Sequence, residues 1–285
     1  MIIFDTHMHL FSSDQNTFPR KKVTAALQAQ VTASPPEPAM AEDYLRDAGE
    51  NSIGKALLVA SIFYGTDTSY PFHVIQNYPD IFKAVVIAEY NDNAGLDFLQ
   101  EQIVNDYVAG ARLHLSNDNR ANALLEMDSD IKRTIQIITD SRKVVDLHIN
   151  SDQMELVCNL ASDFKDTTFV IDHMGRPSPG HRVNQTYERQ IERVASLPNI
   201  YVKLSGFELG SEMGYPFDDT TLYANYLLRA LGIERCMWGS DYPYINNTSD
   251  LAGAVHIAKA LVEGKSETER RQFLFGTAQD VFWRV

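Results

Sequence analysis

The feature that most constrains this chain is a short apolar strand followed by a helical stretch, repeated eight times. Apolar runs predict strands over 2–4, 55–61, 82–88, 110–115, 143–149, 168–173, 200–205 and 235–241. Amphipathic spacing predicts helices over 42–48, 70–78, 97–107, 119–140, 152–164, 185–196 and 223–231, with two more over 251–262 and 267–282. Strands that alternate with helices pair in parallel, and eight such units suffice to close a single-domain (β/α)8 TIM barrel. An open doubly wound sheet is the alternative. No Gly-x-Gly-x-x-Gly follows any predicted strand, so a dinucleotide crevice has no support.

The 285 residues suit one barrel domain, whose typical size is roughly 250 residues. A net charge of −13 repels nucleic acid and anionic membrane surfaces, so a small-molecule substrate is expected and neither of those partners is. The two cysteines, Cys158 and Cys236, have no framework spacing and read as buried and reduced. No apolar run approaches the roughly 18–20 residues of a membrane span, and a cytoplasmic enzyme is expected. Barrels of this size often pair through outer helices, which makes a homodimer the oligomer to test for.

The first strand runs into Asp5-Thr6-His7-Met8-His9. Regular alternation puts Asp5, His7 and His9 on one face, so two imidazoles point the same way. Such a pair can hold one first-row metal ion if the later chain supplies further ligands, although an isolated His-x-His arises easily by chance. In a barrel the site lies at the C-terminal mouth, built from the ends of several strands. The polar residues at those ends are His7, His9, Arg112, His114, His148, His173, Lys203 and Asp241. Recurrence of His and Asp at so many strand ends is what chance does not readily supply.

Four motifs then carry a resemblance: Asp5-Thr-His7-Met-His9, Leu147-His148-Ile149, Ile171-Asp-His173-Met-Gly-Arg176-Pro177 and Trp238-Gly-Ser-Asp241-Tyr-Pro243. Together they resemble the amidohydrolase superfamily, and within it the amidohydrolase-2 branch of lactonases, such as those acting on 2-pyrone-4,6-dicarboxylate, and metal-dependent decarboxylases. The resemblance reaches nearly the whole chain, down to Gly276-Thr-Ala-Gln-Asp-Val-Phe282. It implies His7 and His9 as first-strand metal ligands, Asp241 as the carboxylate that binds metal or takes a proton from water, and His173 beside the reacting carbonyl. His148 matches the fifth-strand ligand of metal-dependent members. In the lactonase-like members that position is not histidine, and catalysis can proceed without metal.

Three histidines and Asp241 would make a complete ligand set with room for a water. One divalent metal ion is therefore expected, zinc first and manganese second, with a metal-free route as the other reading. Lactonase resemblance also extends to Phe63-Tyr-Gly65-Thr66-Asp67 and to Gly110-Ala-Arg112. Arg112 and Arg176 offer donor forks that match a substrate acid group, with Thr66 as a further substrate contact. His114 reads equally as a substrate residue or as packing. The stretches 10–38, with Arg20, Lys21 and Lys22, and 206–219 are irregular and are expected to shape the mouth. The expected function is a metal-dependent lactonase, opening a small carboxylated or sugar-acid lactone with a metal-activated water. A non-oxidative decarboxylase using the same site is the alternative, and an inactive binding barrel is the reading from another class.

Overall fold

In the computed structural model, which describes residues 1–20, 37–90, 93–116, 129–177 and 185–283, the predicted strands pair in chain order. They are β1 (Ile3–Met8), β2 (Ile53–Val59), β3 (Phe82–Ile87), β4 (Val108–His114), β5 (Val144–His148), β6 (Phe169–Ile171), β7 (Ile200–Leu204) and β8 (Cys236–Trp238). Every neighbouring pair is parallel. Around them lie α1 (Ala41–Glu50), α2 (Ser69–Asn77), α3 (Asn93–Ile103), α4 (Ser129–Asp140), α5 (Met154–Asp163) and α6 (Gln185–Ala195). There follow a short α7 (Phe207–Gly210), α8 (Asp218–Leu231), α9 (Leu251–Leu261), α10 (Glu267–Arg271) and α11 (Thr277–Phe282). The protein is a (β/α)8 barrel, as the alternation predicts.

Two apolar layers hold it together. Outward strand residues such as Ile3, Met8, Leu58 and Val86 pack with helix residues such as Tyr44, Val74 and Ile75. Inward residues Phe4, Leu57, Val59, Val85, Val144, Val170 and Met237 form a floor inside the barrel, covered from below by Ala278, Val281 and Phe282 of α11. Each such large aliphatic side chain contributes roughly 1.5–3 kcal/mol by leaving water. Cys158 and Cys236 are buried in these layers, and both are free thiols.

β1 meets the end of β8 along a short seam at the mouth. Asp241 N donates to His7 O at 2.8 Å, His9 N to Tyr242 O at 2.6 Å, and Thr6 Oγ1 to Trp238 O at 2.7 Å. Glycine at 239 permits this approach, because a Cβ there would fall 2.7 Å from His7 Cβ. The seam thus joins the first and last strands at the residues expected to carry the chemistry.

One expectation about β1 fails. Asp5 pairs with Ala56 and Met8 with Leu58, so β1 carries one residue more than β2 across that interval, a bulge. His7 and His9 face the interior, but the Asp5 carboxylate turns to Tyr44 Oη at 2.9 Å and to Ser240 N and Oγ at 2.8 and 2.6 Å. Burial pushes the Asp5 carboxyl up to about 6 against those hydrogen bonds. Asp5 ties strand ends together and does not share a face with the histidines.

Other boundaries move for identifiable reasons. The expected strands over 168–173 and 235–241 end early, because His173 and Asp241 take left-handed backbone conformations with φ of 50° and 58°. The helix expected from residue 223 starts at Asp218, where Asp218 and Asp219 suit the positive end of the helix dipole. The helix expected over 267–282 widens to a π turn over Gln272–Gly276, which keeps Phe273, Leu274 and Ala278 on the buried side. The ends of the long stretch after β1 are pinned by a bridge between Phe11 and Ala39. Lys21, Lys22, the prolines at 35 and 36 and the expected helical turns over 119–128 lie outside the described residues. Among the described residues, no helix is long and apolar enough to cross a membrane.

Candidate active site

Above the apolar floor the barrel interior becomes charged. Lys203 of β7 contacts Asp146 of β5 and lies 3.0 Å from Asp172 Oδ1, and Arg112 of β4 lies 2.7 Å from Asp172 Oδ2. All four side chains are buried. Two cations and two anions at these distances neutralise one another, which is the condition for burying charge at all. Burial alone would raise the Asp172 carboxyl, but Lys203 and Arg112 hold it well below the usual carboxylate range.

This layer fixes His7. Its Nδ1 lies 3.1 Å from Asp172 Oδ1, and an ionised carboxylate can only accept, so the proton sits on Nδ1 and Nε2 carries the lone pair. His9 is fixed in the same sense by Val59 O, 2.8 Å from its Nδ1. Both Nε2 atoms face Asp241 Oδ1, at 3.8 Å from His7 and 3.6 Å from His9. These three side chains offer ligand atoms all within 4.8 Å of one another. His7 Nε2 and Asp241 Oδ1 are buried without a hydrogen-bond partner among the described residues. Orphaned buried lone pairs are costly, and a divalent cation is the group that satisfies two imidazoles and a carboxylate together. The residues therefore fit a metal ion.

A second group, His7, Asp172 and His173, is equally compact. It suits a cation poorly, since Asp172 already carries Lys203 and Arg112.

His173 is beside the first group, its ring centroid 4.4 Å from that of His7 and its Nδ1 3.0 Å from Ser205 Oγ. Burial lowers it to about 4, so it is neutral at pH 7. Burial also lowers His7, His114 and His148 well below the usual histidine range. Asp241 would be raised by burial, but the neighbouring histidines, His173 before His7 and His9, hold it far below the usual carboxylate range.

The structure does not bring His148 into either group. Its Nδ1 is 2.8 Å from Ser116 Oγ and its Nε2 is 3.4 Å from Arg176 Nη1, so a guanidinium stands where a metal ion would be expected. Arg112, expected to grip a substrate acid, has its Nε engaged by Asp172 inside the barrel. Arg176 has no carboxylate partner among the described residues and lines a cavity of about 120 Å³ with Asn150, His173, Gly210 and Thr220. Among the described residues neither ring nitrogen of His114 has a hydrogen-bond partner, and its ring lies 5.0 Å from that of His148. Thr66 sits partly exposed in the turn after β2, and no hydrogen bond ties its side chain to the cluster among the described residues.

Three residues of this arrangement were not among the sequence candidates. Asp172 and Asp146 had a signal, each being a charge inside an otherwise apolar strand segment. Glu208 had none. It lies on α7 beside Asp241, and burial and that neighbouring carboxylate push it up to about 9.

The geometry agrees with comparisons against known proteins. The family model described as Amidohydrolase matches residues 4–284. The chain is 24% identical over 291 residues to 4-sulfomuconolactone hydrolase of Hydrogenophaga intermedia, covering 99% of this chain and 89% of that protein. It is 24% identical over 243 residues to the 4-sulfomuconolactone hydrolase of Rhizobium radiobacter, covering 85% of this chain and 75% of that one. A crystal structure of an amidohydrolase from Burkholderia multivorans with bound zinc shares the fold at a TM-score of 0.80 and 18% identity, over 100% of both chains. With a matching family model over almost its entire length and strand-end histidines gathered at the barrel mouth, this chain belongs to the amidohydrolase family.

Proposed function

We propose that this amidohydrolase opens a small carboxylated or sugar-acid lactone, with His7, His9 and Asp241 holding one divalent cation, zinc before manganese. The observation that carries the reading is the convergence of two histidine Nε2 atoms and a carboxylate oxygen, two of the three buried without a hydrogen-bond partner among the described residues. The lactone hydrolases among the relatives and the zinc in the Burkholderia structure support it.

A divalent cation bound there supplies Lewis acidity, polarising a carbonyl and lowering the pKa of water to about 7. Asp241 accepts the proton of the attacking water and later returns it to the leaving alkoxide. His173, with Ser205 Oγ donating to its Nδ1, carries its own proton on Nε2 and donates it toward the developing oxyanion. Arg176 holds a substrate carboxylate, since its fork is free of protein acids among the described residues. His114 completes the polar wall, while Arg112 and Thr66 remain secondary candidates for substrate contact. The interior charged layer of Lys203, Asp146, Arg112 and Asp172 keeps His7 in the tautomer that the site needs.

The test is acid release from a panel of carboxylated and sugar-acid lactones, followed by pH-stat before chelation, after chelation and after zinc is restored. Acid release that follows the metal is the expected result. Carbon dioxide release from unsaturated or aromatic acids, with no lactone opened, would replace the reading with the decarboxylase.

A further inference from the structure

We infer that His148 is a positioning residue, which together with Ser116 aims the Arg176 guanidinium at the acid group of the substrate. The inference rests on the reading of Arg176 above and names the residues that give its fork a fixed direction.

Three side chains from neighbouring strand ends form one line of hydrogen bonds, Ser116 after β4, His148 at the end of β5 and Arg176 after β6. Ser116 Oγ lies 2.8 Å from His148 Nδ1, and Arg176 Nη1 lies 3.4 Å from His148 Nε2. A guanidinium only donates, so Nε2 carries the lone pair. Burial, and after it the charge of Arg112, lowers His148 well below the usual histidine range, so the ring is neutral. Its proton is then on Nδ1 and is donated to Ser116 Oγ. Ser116 thus selects the one tautomer that can receive the arginine.

The backbone brings Arg176 to this ring through an unusual turn. Four consecutive residues after β6, His173, Met174, Gly175 and Arg176, take left-handed conformations with φ of 50°, 57°, 72° and 49°. Three of them are not glycine, and each such residue costs conformational energy that a functional placement can justify. Arg176 N closes the turn by donating to His173 O at 2.8 Å. The turn lies against the chain that follows His148, since a Cβ at Gly175 would fall 2.0 Å from Met154 Cε and 3.8 Å from Ile149 Cδ1. His173, beside His7, and Arg176 are thereby set in the wall of one cavity.

An arginine fork matches a carboxylate only when its plane is fixed. One of the five N–H donors of Arg176 goes to His148, which gives direction and leaves the positive charge intact, as an acidic partner would not. His114 adds an independent sign that a polar group is received on this side of the mouth. Its ring lies 5.0 Å from that of His148, and both of its nitrogens are buried with no hydrogen-bond partner among the described residues.

The test begins with two-bond proton–nitrogen spectra of metal-free protein carrying isotope-labelled histidine, the His148 signals being those lost in His148→Gln. A protonated Nδ1 and a bare Nε2 are expected at neutral pH, and a proton on Nε2 overturns the inference. Kinetics on zinc-loaded protein then compare a carboxylated lactone with an uncharged lactone of the same ring size. His148→Leu should raise KM on the carboxylated lactone about 2–10-fold more than on the uncharged one, the contribution of ordering one long side chain, with kcat little changed. His148→Gln, whose amide oxygen accepts from Arg176, should recover most of that loss. An equal rise on both lactones, or no recovery with glutamine, makes His148 a packing residue and overturns the inference. Loss of zinc binding by both variants in calorimetry overturns it too, by returning His148 to the ligand set. A wild type that opens no lactone defeats the lactonase reading, and the tautomer alone then decides the inference.

Discussion

His7 Nδ1 lies 3.1 Å from Asp172 Oδ1, so an imidazole on the first strand is locked by a carboxylate that follows the sixth, on the far side of the barrel. Asp172 is itself held by Lys203 and Arg112. The pair converts a buried charge layer into a fixed direction for one lone pair, that of His7 Nε2, which faces Asp241.

Replacing Asp172 tests that relationship. Asp172→Asn should weaken zinc binding about 10–100-fold, because the amide no longer enforces the tautomer. It should also destabilise the fold by about 3–5 kcal/mol, since Lys203 and Arg112 lose a buried counter-charge. Competition with a chelator of known affinity and urea unfolding of the metal-free protein read the two effects separately. Zinc affinity equal to wild type would remove Asp172 from the site's design.

Asp241→Asn should lower turnover by about 10²–10⁴-fold, the usual worth of a general base. Its fold should survive, because asparagine tolerates the left-handed backbone that Asp241 adopts at φ 58° and no hydrogen bond of Oδ1 is lost. Metal-free melting close to wild type together with the lost turnover is the expected pattern. Turnover like wild type sinks the assignment.

For Arg176 the readout is the kinetic constant that changes. Arg176→Gln should reduce kcat/KM about 10–100-fold on a carboxylated lactone, mainly through KM, as one charge-assisted contact is lost. On an uncharged lactone of the same ring size the variant and wild type should agree. An equal loss on both would make the arginine a support for the loop.

His114 carries a cost that substitution can reveal. Both ring nitrogens are buried and have no hydrogen-bond partner among the described residues, so His114→Leu should stabilise the protein by about 1–3 kcal/mol while raising KM. The pH dependence has a definite sign. Burial lowers the folded-state pKa of His114, so below about 6.5 the unfolded wild type binds a proton that the folded one refuses. The advantage of the variant should therefore grow as pH falls, by about 1.4 kcal/mol per unit below 6.5, and level off above it. Urea midpoints of both proteins across that range decide it, and an advantage that shrinks on acidification contradicts the assignment.

The eight-fold alternation of apolar strands and amphipathic helices was enough to determine the barrel, because parallel strands with helical crossovers have few closed arrangements. That His7, His9, His173 and Asp241 would come together was legible for the same reason, as strand ends in a barrel converge on one mouth. Three outcomes needed the tertiary structure. A one-residue bulge in β1 turned Asp5 away from the histidines, which an assumption of strict alternation cannot foresee. Side-chain neighbours distinguish otherwise equivalent strand-end candidates, setting Arg176 against His148 and Asp172 against Arg112. Glu208 lies on the short helix α7, inside a stretch that carries no periodic signal, and its place follows from Gly206 crossing the His173 ring. Periodicity follows from local backbone geometry and so can be read along the chain, whereas pairing between side chains distant in sequence exists only once the barrel has closed.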